Sequence, residues 1–230
     1  MGIFDESTSL LFRHSMEDAY KFILIPLSPS KLDFALYSPF DTPHTNHTIS
    51  IKIEMAGAIT ISGLPGSGTS TVADLLHKKL GFKYVNVGNL FRELADKYKM
   101  SLQDFEEYCE NNSEIDIELD RKQENILKKG DVILEGRLSG WIAHIKKIPS
   151  IKIWFDCNED ERVKRIINRE GGDFFEKKKE MWERQESEKR RYLKFYGIDL
   201  DDKSIYDIII DTTYMKPEDI VEKIMNELQK

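Results

Sequence analysis

From residue 55 to the C-terminus, short apolar segments alternate with longer segments in which apolar residues recur every three or four positions. The short segments are rich in Ile and Val and apolar at consecutive positions, which is typical of strands buried on both faces. Strands separated by helices predict an α/β fold, with a five-stranded parallel sheet covered by helices on both faces. The predicted strands are "AITIS", "KYVNV", "DVILE", "IKIWFD" and "IYDIII".

The longer segments predict helices between these strands. One helix begins after the first strand and ends at Leu80, and two further helices cover residues 90–98 and 102–128. A long, highly charged helix is predicted over residues 174–195. The last helix follows Pro217, because the fixed φ of proline suits a first helical turn.

Residues 1–54 differ in character from the rest of the chain. They contain four of the seven prolines and three of the five histidines, and residues 28–50 are rich in Ser, Thr and Pro. No segment there keeps a regular period for long, so we expect loose structure with one short helix around residues 17–25. We therefore divide the chain into an N-terminal extension, residues 1–54, and a domain, residues 55–230. The extension is expected to be a disordered tail or docking arm, or the product of a start codon assigned too far upstream.

Charge and composition narrow the possible partners. The net charge is −7 and the isoelectric point about 5.4, which argues against a dedicated nucleic-acid binder. The apolar run "FILIPL" is about a third of the length of a membrane-spanning helix and lacks the flanks of a signal peptide. Cys109 and Cys157 belong to no metal or redox motif, so both are expected to be reduced thiols. We expect a cytoplasmic protein that binds neither nucleic acid nor a membrane.

The sequence "GLPGSGTST" directly follows the first predicted strand and leads into the first helix, which is the context of a phosphate-binding loop. Its glycines let the backbone fold around phosphate oxygens with N–H groups pointing inward, and the helix start adds a positive dipole end. The alternative is an ordinary strand-to-helix turn rich in Gly and Ser. The candidate phosphate-binding residues are Gly63, Leu64, Pro65, Gly66, Ser67, Gly68, Thr69, Ser70 and Thr71.

One position departs from the usual pattern G-x-x-x-x-G-K-[ST], because Thr69 stands in place of the lysine. Ser70 keeps the hydroxyl position that holds Mg²⁺. A threonine can donate a hydrogen bond but carries no charge, whereas phosphoryl transfer depends on cations near the transferred group. Cations are therefore expected to reach the phosphates from other parts of the chain.

Arginines are the expected source of that charge, since a guanidinium fork suits phosphate oxygens. Arg92 lies one turn into the helix after the second strand, and Arg137 follows an apolar strand that ends in Glu135. Glu135 is placed to organise Mg²⁺ through water. Two later helices carry arginines at spacings of three and four, so that they share a helical face. These residues are Arg162, Arg165 and Arg169 in one helix, and Arg184, Glu188 and Arg191 in the other.

These two helices have two interpretations. A solvated surface laced with salt bridges is the commoner explanation of a charged helix, and we adopt it for the run "FFEKKKEMWE". For the arginines we favour a lid that closes over a bound nucleotide and supplies the missing charge. This interpretation predicts a protein that is open and mobile without ligand.

Six segments, taken in order, resemble those of nucleoside-monophosphate kinases, which have the P-loop NTPase fold, and most closely the archaeal-type cytidylate kinases. The resemblance runs from about residue 56 to the C-terminus and implies NMP-binding helices and a lid around the parallel sheet. It implies Mg²⁺-dependent transfer of the γ-phosphoryl group of ATP to CMP or dCMP. Relatives of this type also carry a threonine at the lysine position. The segments are "ITISGLPGSGTST", "VGNLFREL", "EIDIELDRKQ", "VILEGRLSGW", "RQESEKRRYLKFYGIDLDDKSIYDIIIDTT" and "PEDIV".

The resemblance implies roles for particular residues. Residues 63–71 would bind ATP, with Asp211 and Thr212 in a turn near the adenine. Arg92 and Arg137 would hold the phosphate of the acceptor. No general base is needed, since the acceptor phosphate is already a nucleophile at neutral pH.

The same resemblance assigns the arginines of the two charged helices. Arg165 and Arg169 would belong to the lid. Arg184, Glu188 and Arg191 resemble an R-x-x-x-D-x-x-R constellation that bacterial cytidylate kinases use for the acceptor nucleotide and the transferring phosphate. The catalytic arginines implied in this way are Arg137, Arg165, Arg169, Arg184 and Arg191.

One departure concerns the recognition of the base. Bacterial relatives follow their Gly-Arg pair with an Asp that reads cytosine, whereas here the next residue is Leu138. The exocyclic amine of cytosine still needs an acceptor, and we look to Asp116 and Asp120. Both could equally be surface acids on an amphipathic helix.

The expected co-substrate is ATP with Mg²⁺, and the expected partners are small nucleotides bound by a monomer. Two alternatives stay open at this point: a kinase for another acceptor such as AMP or UMP, and a nucleotide-binding regulator without catalysis. The arginine clusters argue against the regulator, because simple binding needs no cage of charge around a transferred group. A GTPase is disfavoured because the sequence lacks an N-K-x-D motif.

Overall fold

The computed structural model describes residues 23–26, 34–37 and 57–229, which fall into two units described separately. In the first unit, β1 (Ile23–Pro26) and β2 (Phe34–Tyr37) pair in antiparallel fashion, with Ile23 opposite Tyr37. The prediction of a helix around residues 17–25 is therefore wrong for its last three residues. The run "ILI" has a high preference for extended structure, and pairing with a second strand decides its conformation. Residues 17–22 and the proposed boundary at residue 55 lie outside the described residues.

The second unit contains a five-stranded sheet with the order β4-β5-β3-β6-β7. Every neighbouring pair is parallel, which confirms the predicted fold class. The central strands carry apolar side chains at consecutive positions because helices cover both faces. The strands are β3 (Ala58–Gly63), β4 (Lys83–Asn86), β5 (Val132–Glu135), β6 (Ile151–Asp156) and β7 (Ile208–Asp211).

Eight helices are found within residues 57–229. None of these helices has both the length and the apolar character that crossing a membrane requires. They are α1 (Thr69–Leu80), α2 (Val87–Lys97), α3 (Leu102–Asn111), α4 (Ser113–Lys128), α5 (Ser139–Ile145), α6 (Glu159–Glu170), α7 (Phe174–Tyr196) and α8 (Pro217–Leu228).

Two element boundaries and one helix differ from the prediction. The helix predicted to begin at residue 90 begins three residues earlier, because the side chain of Asn86 caps it by accepting a hydrogen bond from Asn89 N at 3.0 Å. The last strand begins at Ile208 rather than at Ile205, which packs with Tyr206 against Trp154 at the edge of the sheet. The helix α5 was not predicted, since its seven residues are too few to show a period.

The predicted helix over residues 102–128 is divided into α3 and α4 at Asn112, whose φ of −130° is not helical. The division lets both halves bury apolar residues in one cluster, in which Phe105 of α3 meets Ile115 and Leu119 of α4. Asp116 and Asp120 follow these two residues directly. Packing of the α3–α4 corner therefore fixes the positions of both predicted base-reading acids.

The two faces of the sheet have separate cores. On one face, α1 and α8 pack through residues such as Leu76 and Ile224, both completely buried. On the other face, α5 and the end of α7 pack over Leu134. Because the strands are parallel, the loops that follow them all leave from one edge of the sheet, where ligands of open α/β folds bind.

We expect Phe105→Ala to lower the free energy of unfolding by about 3–5 kcal/mol, because the ring is completely buried at the α3–α4 corner and its removal leaves a cavity. Chemical denaturation at neutral pH measures this change. The matched control is Phe175→Ala, since Phe175 is 78% exposed and its loss should change stability by about 0.5 kcal/mol or less. Similar losses for both variants would contradict the role assigned to the corner.

Candidate functional site

The glycine loop connects β3 with α1 and takes a conformation that its glycines require. Gly66 and Gly68 have φ values of +81° and +90°, in the left-handed region that disfavours other residues. A side chain at Gly66 would also collide with the backbone carbonyl of Arg162, which lies 2.6 Å from the position of its Cβ. No side chain caps α1. Because the first N–H groups of a helix have no partner within it, this end of α1 can bind an anion.

Glu135, at the end of β5, accepts hydrogen bonds from four side chains around the loop. Thr69 Oγ1 and Ser70 Oγ donate to its Oε1 at 2.6 and 2.7 Å. Tyr84 donates to Oε2 at 2.5 Å, and the amide of Asn86 donates to the same oxygen. The sequence placed Ser70 and Glu135 each at a Mg²⁺ site, which stays a prediction, and it missed Tyr84 and Asn86. Their two-residue spacing on β4 was the available signal, since it places both on one face of the strand.

The pair of Ser70 and Glu135 fits the coordination chemistry of Mg²⁺. This ion is usually held by one or two protein oxygens together with waters and substrate phosphates. Among residues 57–229, no cluster of three or more His, Cys, Asp and Glu side chains could hold a metal ion without such help. The donor set therefore suits an ion that binds together with phosphate.

Three arginines surround the loop and donate to its backbone carbonyls. Arg137 Nη1 contacts Gly63 O at 2.5 Å, Arg162 Nη1 contacts Pro65 O at 3.2 Å, and Arg165 Nη1 contacts Ser67 O at 3.4 Å. Guanidinium groups thus contact the loop that lacks a lysine. Arg137 belongs to the β5–α5 connection, and Arg162 and Arg165 belong to α6.

From the sequence, Arg162 was grouped with Arg165 on one helical face but was not named as a catalytic or binding residue. It is 5% exposed and also donates to Gln185 of α7. Burial lowers the pKa of its guanidinium. Arg169, by contrast, is exposed and pairs with its neighbour Glu170, so the structure does not bring it to the loop. The open and mobile state without ligand stays a prediction.

A cavity of about 200 Å³ lies beside the loop, between α2, α4, the β5–α5 connection and α7. Every residue predicted to bind the acceptor lines this cavity. Gly136 and Leu138 contribute to its wall, so the position that differs from bacterial relatives is also part of it. The predicted residues in the lining are Arg92, Asp116, Asp120, Arg137, Arg184, Glu188 and Arg191.

Glu188 is buried and holds two of these arginines. It accepts from Arg137 Nε at 2.7 Å and from Arg184 Nε at 3.2 Å. Burial alone would favour the neutral acid, but the charges of Arg137 and Arg184 outweigh it and hold the pKa of Glu188 below its ordinary value. Arg137 thereby contacts the glycine loop with one nitrogen and α7 with another.

Arg191 and Asp116 face each other with their hydrogen-bonding capacity incompletely used. Arg191 Nε lies 3.8 Å from Asp116 Oδ2, and neither atom has a hydrogen-bond partner within the described part of the chain. Burial raises the pKa of Asp116, although the charge of Arg191 opposes this rise. Buried polar atoms of this kind usually have a partner. Their position in the cavity wall points to a ligand with both donor and acceptor groups.

Asp120 lies one helical turn from Asp116. Burial is the main cause that raises its pKa to about 6, the nearby charge of Asp116 contributes, and a hydrogen bond from Tyr196 opposes the rise. The amide of Gln123 lies 3.5 Å from Asp120 Oδ1. Gln123 and Tyr196 line the same cavity and were missed from the sequence. Gln123 could have been found because it lies three residues after Asp120 on α4 and so shares its helical face.

The turn after β7 lies against the glycine loop. The hydroxyl of Thr212 donates to Ser67 O at 2.8 Å, and Arg165 Nη2 donates to Thr212 O at 2.7 Å. The side chain of Thr212 is therefore buried in holding the turn to the loop. The carboxylate of Asp211 accepts from the hydroxyl and the backbone N–H of Thr213, and these bonds lower its pKa.

Comparison with known proteins finds a matching family and several similar proteins. Residues 58–214 match the cytidylate kinase-like family. A cytidylate kinase from Methanocaldococcus jannaschii is 45% identical over 75% of this chain and 99% of its own length. One from Archaeoglobus fulgidus is 44% identical over 74% of this chain and 94% of its own length.

Two solved structures share the fold. A shikimate kinase from Bacteroides thetaiotaomicron superposes with a TM-score of 0.53 at 11% identity, covering 75% of this chain and 98% of its own. A gluconokinase from Sinorhizobium meliloti has a TM-score of 0.52 at 12% identity, covering 76% of this chain and 92% of its own. At this level of identity the likeness concerns the fold alone.

The raised pKa of Asp120 predicts a particular dependence of stability on pH. The folded protein keeps this carboxyl protonated up to about pH 6, whereas its ordinary pKa is 3.8. Between these values the folded state binds more protons than the unfolded state, so this group lowers the free energy of unfolding as pH rises. Asp120→Asn should remove that decline. The free energy of unfolding of the variant, measured relative to that of the wild type, should therefore increase between about pH 4 and about pH 7.

Urea denaturation across this pH range tests the prediction. Asp96→Asn is the control, because Asp96 is an exposed acid on α2 outside the cavity. Parallel pH profiles for Asp120→Asn and wild type would show that the carboxyl titrates normally in the folded protein.

Proposed function

This chain belongs to the cytidylate kinase-like family, and from that premise we propose that it transfers the γ-phosphoryl group of ATP to CMP or dCMP. One observation of the structure carries the proposal. Arg137 contacts the phosphate-binding loop at Gly63 and also lines the adjoining cavity, where Glu188 holds it. A single guanidinium is thus within reach of a donor phosphate in the loop and an acceptor phosphate in the cavity.

ATP is proposed to bind with its phosphates in the loop of residues 63–71. The unpaired N–H groups at the start of α1 and the helix dipole both favour negative charge there. The adenine is proposed to lie near Asp211 and Thr212, in the turn that contacts the loop at Ser67. Ser70 and Glu135, the latter through water, would hold Mg²⁺, which would supply positive charge to stabilise the phosphates.

The acceptor nucleotide is proposed to occupy the cavity. Arg92 and Arg137 would bind its phosphate, while Arg184 and Arg191 from α7 approach the transferred group. Arg165 lies at the loop already, whereas Arg169 would have to move with a closing lid. Together these guanidinium groups would replace the charge of the absent lysine.

Asp116 and Asp120 are proposed to read the base. A carboxylate accepts hydrogen bonds, so it suits the exocyclic amine of cytosine and opposes the carbonyl oxygen that uracil carries in its place. Asp116 Oδ2 is buried, has no hydrogen-bond partner among the described residues and belongs to the cavity wall, so it presents an acceptor for that amine. This recognition favours CMP and dCMP over UMP.

The chemistry needs little more than positioning. An oxygen of the acceptor phosphate attacks the γ-phosphorus, the bond to the β-phosphate oxygen breaks, and ADP leaves with the electron pair. No proton has to be removed from the nucleophile, because the acceptor phosphate is anionic at neutral pH. The protein residues therefore act by alignment and by stabilising charge in the transition state.

We propose residues 55–230 as the catalytic unit, because the relative from Methanocaldococcus jannaschii aligns over 99% of its own length with 75% of this chain. The proposed enzyme is a monomer whose partners are nucleotides. Cys109 and Cys157 form no disulfide, in keeping with a reducing, cytoplasmic location.

The purified protein should form ADP from MgATP with CMP or dCMP in preference to UMP and AMP. A coupled assay of ADP with each acceptor in turn measures this preference, and a chain without residues 1–54 should give the same order. Preference for UMP or AMP would overturn the assignment of the base. Measurable ATP binding without turnover of any acceptor would instead support a nucleotide-binding regulator.

Arg191→Ala is expected to lower kcat by about 10²–10³-fold, the usual effect of removing one charge-stabilising donor, while ATP affinity changes little. Steady-state kinetics and ATP titration distinguish the two quantities. The control is Arg190→Ala, because Arg190 is the exposed neighbour on α7 and lies outside the cavity. Equal losses of turnover and ATP affinity in Arg191→Ala would remove the transition-state role.

A further inference from the structure

The hydrogen bonds to Glu135 use all of its acceptor capacity. A carboxylate has about four lone-pair positions, two on each oxygen. Thr69 and Ser70 donate to Oε1, and Tyr84 and Asn86 donate to Oε2. With four donors in place, no position is left to accept from a water bound to a metal ion. One donor must leave before Glu135 can take part in binding a metal.

Ser70 is the donor that has a reason to leave. Its hydroxyl occupies the metal-binding position of the loop, and it is exposed at the start of α1. When Ser70 Oγ turns to a metal ion, one position on Oε1 becomes free to accept from a metal-bound water. Thr69, Tyr84 and Asn86 do not stand at the metal-binding position of the loop, so they can keep the carboxylate in its orientation.

We propose that Thr69, Tyr84 and Asn86 are positioning residues that hold Glu135 for metal binding, with Thr69 keeping Oε1 in place when Ser70 moves to the metal. This inference rests on the proposed function, because it concerns the metal that accompanies the nucleotide. It also gives the side chain at the lysine position a task of its own. Thr69 does not replace the charge of a lysine but secures the carboxylate on which the metal site depends.

Tyr84 is suited to this task by its position. It lies on β4, outside the lining of the cavity, and its ring packs against the core formed by α1 and α8. Its hydroxyl donates to Glu135 Oε2 at 2.5 Å. Asn86 is held as well, because its carbonyl oxygen caps α2.

Orientation of the carboxylate matters because Mg²⁺ demands nearly ideal octahedral geometry. Groups that hold a metal-binding side chain from behind commonly change metal affinity by about 10- to 100-fold when they are removed. A carboxylate free to rotate would present its oxygens in several orientations. The effect of removing a positioning residue should therefore appear in metal affinity and not in the binding of free nucleotide.

The test is calorimetric titration of the full-length protein with ADP, first in EDTA and then at a series of Mg²⁺ concentrations. In Tyr84→Phe, the affinity for ADP in EDTA should stay at the wild-type value. The Mg²⁺ concentration that gives half of the metal-dependent gain in affinity should rise by about 10-fold. The phenylalanine keeps the ring and its packing, so only the hydrogen bond is lost.

Two further variants separate positioning from a general loss of structure. Thr69→Val should also raise the Mg²⁺ concentration that gives half of the gain in affinity. Thr69→Ser keeps a hydroxyl, so its Mg²⁺ requirement should equal that of the wild type. Tyr98→Phe is the matched control for Tyr84→Phe, because Tyr98 lies at the end of α2 and is 37% exposed. It should leave both ADP affinity and the Mg²⁺ requirement unchanged.

Each outcome has a separate meaning for the inference and for the proposed function. A wild-type Mg²⁺ requirement in both Tyr84→Phe and Thr69→Val would overturn the positioning role, and CMP phosphorylation by the wild-type protein would leave the proposed function intact. An equal loss of ADP affinity with and without Mg²⁺ would also overturn the role. Wild-type protein that binds ADP with a Mg²⁺-dependent gain but phosphorylates no acceptor would contradict the proposed function alone.

Discussion

The ion pair between Arg137 and Glu188 joins the three parts of the site. Arg137 lies in the β5–α5 connection and donates a hydrogen bond to the carbonyl of Gly63 in the loop. Its Nε lies 2.7 Å from Glu188 Oε2 of α7. The side chains of Arg137 and Glu188 are only 19% and 11% exposed. The loss of either partner would therefore leave the other charge in a poorly solvated position. Glu188 also holds Arg184, and Arg191 follows it on α7 by one further turn. The geometry of loop, cavity and helix thus depends on one pair of charges.

The absence of a lysine from the loop changes how charge reaches the phosphates. A lysine would bring one cation attached to the loop itself, whereas here guanidinium groups arrive from the β5–α5 connection, from α6 and from α7. Each is held by acceptors of its own, such as Glu188 or the carbonyls of the loop. Thr69 is left to interact with Glu135. Charge and metal positioning are therefore assigned to different side chains.

Features that depend on short stretches of sequence could be predicted from it. The succession of β3, the glycine loop and α1 was evident, and so were the position of Glu135 at the end of β5 and the arginine face of α7. Features that depend on strand register or tertiary packing could not. Tyr84 and Asn86 reach Glu135 only because β4 lies beside β5 with Asn86 opposite Glu135. The break at Asn112 carries no Gly or Pro, and it forms because the corner buries Phe105.

The contacts between arginines and loop carbonyls bear on how tightly nucleotides are held. The guanidinium groups of Arg137, Arg162 and Arg165 donate to loop carbonyls through one nitrogen each, and a guanidinium has five N–H groups in all. An arriving phosphate can therefore be bound by the remaining N–H groups while the contacts with the carbonyls are kept. Because the side chains are already ordered at the loop, less conformational entropy is lost when they bind a phosphate.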